Sequence, residues 1–257
     1  MIDSVRAHKA ASRGYQRSRF FVWIAAAMLG VIALGFGKSF FLRPWFSDTP
    51  LPTYLVVHGL VLTAWYLLFL VQAIFVSTGR SYLHRKLGIV GVLLAAGVVI
   101  TSAVVHLNVI PRREALGHIT NAAELSRNVD FVLGGLSSLI PFVVLIGFAV
   151  LLRRDAAVHK RLMYWALVWT LGPAFTDNRP LGQVLDSLVV PYLPFFPADL
   201  FWFAALMAYD WKEARRIDVM TYLGFFSLAF YFFFVTEWIV GVESLQEWLR
   251  AYVRASG

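Results

Sequence analysis

Apolar residues run in long unbroken blocks along this chain, at about 20–37, 53–77, 87–109, 129–152, 162–176, 196–211 and 219–240. Polar and charged residues collect between them. A helix needs about 20 residues to cross a bilayer, within a range of about 17–25. The first four blocks and the last meet that length, while the fifth and sixth sit at its lower limit. The pattern predicts an all-α, polytopic transmembrane bundle of seven helices. Six spans, with 162–211 folded differently, is the alternative.

Polar residues inside the second block form a stripe. His58, Trp65 and Gln72 are spaced by sevens, and seven residues at roughly 100° each return to within about 20° of the start. Tyr54 lies one turn above His58. A His and a Gln facing lipid would lack hydrogen-bond partners, so this stripe is expected to face the protein interior. Small residues mark two further stripes, Gly88, Gly91, Ala95 and Ser102 on the third block and Asp130, Gly134, Ser137 and Pro141 on the fourth. Both are read as surfaces of close helix packing.

Charge then orients the bundle. The segments 1–19, 80–86, 153–161 and 212–216 hold 15 of the 23 Lys and Arg residues. The positive-inside rule therefore puts the N-terminus in the cytoplasm and the C-terminus outside, with a bacterial inner membrane as the expected location. The net charge of +8 is distributed beside spans. It points to anionic lipid as partner and away from nucleic acid. The chain reads as one transmembrane domain over 1–257. It has a basic cytoplasmic segment at 1–19, read as preceding a retained first span rather than a cleaved signal, and an amphipathic outer segment at 241–257. On the latter, Val242, Leu245, Trp248, Leu249 and Tyr252 share a face. A short interfacial helix is expected after Pro180.

Composition narrows the chemistry. The chain is 59% hydrophobic and has no cysteine, which excludes disulfides, thiol nucleophiles, iron–sulfur clusters and Cys-ligated zinc. No lysine lies within a block, which excludes a retinal Schiff base, and no block carries an Arg repeat of the voltage-sensing kind.

A short repeat relates two of the basic turns. Leu83-His84-Arg85-Lys86-Leu87-Gly88 parallels Val158-His159-Lys160-Arg161-Leu162-Met163. Each follows an arginine, Arg80 or Arg154, and each opens a span that returns outward. The repeat predicts that His84 and His159 lie near one another, with Asp210 as the nearest counter-charge. The same residues carry a resemblance. His58, Gln72, Gly79-Arg80, His84-Arg85…Gly88 and His159-Lys160-Arg161-Leu162-Met163 together resemble uncharacterised bacterial multi-pass membrane proteins with a His-Arg-x-x-Gly cytoplasmic loop. This resemblance covers about 58–163. It implies an integral membrane protein and transfers no activity.

Candidate chemistry sits at both ends of the bundle. His58 and His106 are near the outer face on consecutive spans and form one candidate metal pair. His84 and His159 form a second near the inner face. His58, Trp65, Gln72, Asp177, Arg179 and Asp199 are the candidate binding residues of a pocket open to the outside, with Glu237 and Asp130 at similar depth. Neutral imidazoles from two helices can ligate haem b iron axially. His with carboxylates can bind a divalent metal for hydrolysis. A transporter or lipid or small-molecule binder would use the same polar lining without a cofactor. No HExxH, CxxCH, EF-hand or P-loop pattern decides among these.

Overall fold

A computed structural model describes residues 19–176, 179–183 and 197–256. Its ordered elements are helical, with no strand among the described residues. They are α1 (Phe20–Phe36), α2 (Thr53–Ser77), α3 (Ser81–Leu107), α4 (Val109–Ala115), α5 (Ala122–Ser137), α6 (Leu139–Leu151), α7 (Ala156–Trp169), α8 (Pro197–Ala214), α9 (Val219–Phe230), α10 (Glu237–Val240) and α11 (Glu243–Ser256). A π-helical stretch extends α1 to Phe41, and another, Tyr231–Thr236, joins α9 to α10.

Five helical stretches are long and apolar enough to cross a membrane: Phe20–Phe41, Thr53–Ser77, Ser81–Ala115, Ala122–Leu151 and Val219–Val240. Their outward faces carry large apolar side chains. On α3, Ile89, Leu93 and Ile100 are 70%, 68% and 63% exposed. An apolar belt of this kind is stable in hydrocarbon and would be a liability in water. The chain is a multi-pass membrane protein.

The fifth sequence block, at the lower length limit in the sequence, forms a short helix. It becomes α7, whose 14 residues span about 21 Å against a hydrocarbon core of about 30 Å. This helix is the centre of the bundle. Tyr164, Trp165, Ala166, Leu167 and Val168 are all buried, packed against α6 and α9. Its all-round apolar character reflects burial in protein rather than contact with lipid. The sixth block, α8, has 18 residues but carries Asp199, Asp210, Lys212 and Glu213.

Two long stretches break at proline. Pro141 has no N–H to give the Ser137 carbonyl, and its ring crowds the preceding turn, so the helix divides between α5 and α6. Other helices supply the missing donors. Tyr231 Oη donates to the Ser137 carbonyl at 2.8 Å, and Trp169 Nε1 donates to the Ser138 carbonyl at 2.6 Å. Pro111 divides α3 from α4 in the same way.

The small-residue stripes are partly realised. Gly91 meets Leu68 of α2, and Ala95 and Ser102 are buried, while Gly88 faces open space. Gly134 approaches Thr236 and Val240. The C-terminal helix α11 is amphipathic, as its sequence predicts, but the expected face splits. Leu249 and Val253 dock into a small second core with Ile110, Val129, Val132 and Leu133. Trp248 and Tyr252 stack on each other on the outside at 6.1 Å. The basic segment 1–18 and most of the helix expected after Pro180 lie outside the described residues.

Candidate functional site

The basic turns bring two histidines together. Gly79, with φ +78°, lets the chain reverse between α2 and α3. Asp155 caps α7 by accepting from the Ala157 and Val158 amides. His84 is the fourth residue of α3 and His159 the fourth of α7, so the repeat holds at the level of helix register. Their rings lie 6.1 Å apart, centre to centre, at 77°. His159 Nδ1 faces the Ala149 carbonyl at 2.8 Å. A carbonyl only accepts, so Nδ1 carries a proton, and in the neutral ring Nε2 keeps its lone pair. His84 Nδ1 is buried and has no hydrogen-bond partner. The site thus offers two half-buried imidazoles from different helices, at least one nitrogen of each being uncommitted.

Beside it lies a buried charge network that the sequence only half reveals. Arg161, counted among the solvated inner bases, is in fact 1% exposed. Its guanidinium pairs with Asp210, itself fully buried, and donates to the Ala157 carbonyl at 2.7 Å. Asp210 also accepts from Thr221 Oγ1 at 2.5 Å and from the Asp218 amide at 3.0 Å. Asp218 approaches Arg161 at 3.4 Å. Lys160 reaches Tyr209 Oη at 2.9 Å. The network ties the starts of α7 and α9 to the end of α8. Asp210 is a counter-charge, as expected, but to Arg161. The signal was an acid and a base at the edges of apolar blocks. Nothing in the sequence pointed to Thr221 or Asp218.

The His58–Trp65–Gln72 stripe faces other helices. Trp65 is 2% exposed and packs edge-on against Phe142. His58 Nδ1 lies 3.2 Å from Thr101 Oγ1 of α3. That hydroxyl already donates to the Gly97 carbonyl at 2.7 Å, so His58 is the donor. Gln72 Oε1 and Trp65 Nε1 are buried without hydrogen-bond partners.

The outer group is more dispersed than the sequence led us to expect. His106 neighbours His58 closely enough to interact electrostatically. Its Nδ1, however, donates to the Ser102 carbonyl at 2.8 Å, and its Nε2 edge is pressed against Gly135, where any β-carbon would collide with the ring. Neither nitrogen of His106 is directed at open space. Arg179 reaches back to α1, donating to Ser39 Oγ and lying over the Phe36 ring at 4.4 Å. Asp130 meets Gln246 of α11 at 3.5 Å, and Glu237 is exposed. Asp199 lines a small cavity with Trp165 and Trp169. Asp177 lies outside the described residues.

Among the described residues, no three His, Asp or Glu side chains converge as a metal cluster. Any metal held at the paired histidines would therefore draw two ligands from the described residues. No protein-family model matches the chain, and no curated protein and no solved structure shows significant similarity to it.

Proposed function

We propose that this protein is a seven-span membrane redox protein, N-terminus inside and C-terminus outside, of the bacterial inner membrane. Its functional centre is the His84–His159 pair, which binds one transition-metal ion, as haem iron or as a single copper-class ion. The ring spacing carries this reading. An imidazole nitrogen sits about 2 Å from a bound metal and the ring centre about 1 Å farther, so two rings sharing one ion near-linearly have centres about 6 Å apart. The rings here are 6.1 Å apart. The bond from His159 Nδ1 to a backbone carbonyl is the outer-shell contact that orients a metal-bound imidazole and fixes its tautomer. Haem iron needs only two axial ligands from the protein, and such centres serve electron transfer. Metal-dependent hydrolysis is not favoured, because a catalytic zinc takes three protein ligands and the described residues bring together no such set.

The test is titration of the detergent-purified protein with ferric haem and, separately, with copper. His84→Ala and His159→Ala should each lose saturable binding, while His58→Ala and His106→Ala keep it. Equal binding by all four variants would contradict the assignment.

A second reading rests on a separate observation. Gln72 Oε1 and Trp65 Nε1 are buried, unpaired and directed into the bundle. Buried polar atoms normally find partners. A small polar ligand or lipid headgroup taken up beside α2 would satisfy them, as in a transporter or lipid-binding protein. Gln72→Leu should abolish uptake or binding under that reading and leave the histidine centre intact.

A further inference from the structure

We propose that the cavity between α7, α8 and α9 binds a monovalent cation about the size of water, and that ammonium is the ion it fits. Trp165, Val168, Trp169, Asp199, Phe225 and Leu228 line it. Its interior has room for about one water molecule. Asp199 is the one charged residue in this lining. Among the described residues, no hydrogen bond or ion pair reaches its carboxylate. Arg179, the cation that the sequence places at similar depth, is held on Ser39 and Phe36 instead.

The aromatic walls are fixed before any ligand arrives. Trp169 is anchored by its bond to the Ser138 carbonyl. Trp165 is 1% exposed and lies so close to Gly224 that a β-carbon there would collide with its Cδ1 and Nε1. Phe225 contacts Trp165 at 6.1 Å. A half-buried carboxylate facing indole and phenyl rings can be neutralised by a proton or by a cation. Aromatic faces attract cations, tryptophan most strongly. An alkali ion wants several oxygen ligands, and the cavity offers those of Asp199. Ammonium can donate one N–H to the carboxylate and turn the others toward the rings. A quaternary ammonium exceeds the available space.

The experiment replaces sodium chloride with ammonium chloride at constant pH and ionic strength. It follows tryptophan emission and thermal stability of the purified full chain. Wild type should show a saturable response to ammonium and none to tetramethylammonium. Asp199→Asn should weaken the response by roughly thirtyfold or more, the loss that follows removal of one partner from a buried charge pair. Trp169→Leu, which keeps the carboxylate and removes one wall, should weaken it as well. Bound metal at His84 and His159 should be unchanged in both variants. Three results would each overturn the proposal: no saturable ammonium response in wild type, a full response in folded Asp199→Asn, or an equal response to tetramethylammonium. The first of these would assign the carboxylate to a proton.

Discussion

Removing the carboxylate of Asp210 should be among the most destabilising single changes in this protein. Asp210 is fully buried and Arg161 is 1% exposed. In Asp210→Ala the guanidinium would lose its closest partner while staying out of water. The Thr221 hydroxyl and the Asp218 amide would lose their acceptor as well. Breaking one partner of a buried ion pair costs about 3–5 kcal/mol. Asp218, at 3.4 Å and 30% exposed, would offset part of this by remaining near the guanidinium. We therefore expect a loss of about 3 kcal/mol for Asp210→Ala and a similar loss for Arg161→Ala. Asp218→Asn should cost only about 0.5–1 kcal/mol, because its contact is longer and partly solvated. The double variant Arg161→Met, Asp210→Leu replaces both charges by apolar groups of similar size and should recover most of the loss. Equilibrium unfolding in mixed micelles measures all four, and the singles Arg161→Met and Asp210→Leu close the cycle that isolates the coupling. Single losses below about 1 kcal/mol, or a double variant whose loss equals the sum of the singles, would refute a network held by mutual burial.

Four further outcomes follow from the geometry. The chain has no cysteine, so His84→Cys combined with His159→Cys gives a clean cross-linking pair. A short bifunctional reagent should join α3 to α7, and failure to cross-link would separate the two turns. Tyr231→Phe leaves the Ser137 carbonyl at the proline break without its donor and should cost about 1–3 kcal/mol in the same unfolding assay. Gly135→Val drives a side chain into the His106 ring and should cost about 1–3 kcal/mol or more, whereas Gly88→Ala, with open space at that position, should be close to neutral. Reporter fusions after Arg154 and Arg216 should read as cytoplasmic and fusions after Gly117 and at the C-terminus as external; a cytoplasmic C-terminus would remove the seven-span arrangement.

The membrane-crossing helices were legible because a bilayer imposes one requirement, length of apolar sequence, that local pattern records directly. The inner histidine pair was legible for a different reason. A repeated sequence at two helix starts repeats the register, and both histidines became the fourth residue of their helices. What stayed hidden is what only packing decides. Burial against protein and burial in lipid select the same apolar residues, so the sequence of 162–176 did not show that α7 packs inside the bundle. Arg161 looked like one more positive-inside base until α8 and α9 brought Asp210 and Thr221 against it. The outer cluster was drawn from depth alone. Depth says nothing of azimuth, so Asp199, Arg179 and Asp130 ended against three different neighbours.

The most direct test of the central claim is the metal content and visible absorption of the protein as isolated from the membrane. The account predicts one bound iron or copper per chain. Bound haem would add an intense visible band that shifts on reduction. Metal and band should both vanish in His84→Ala and in His159→Ala and persist in His58→Ala. Wild type isolated without metal or pigment, and unable to take up either, would contradict it, as would a full complement of metal in the folded His84→Ala variant.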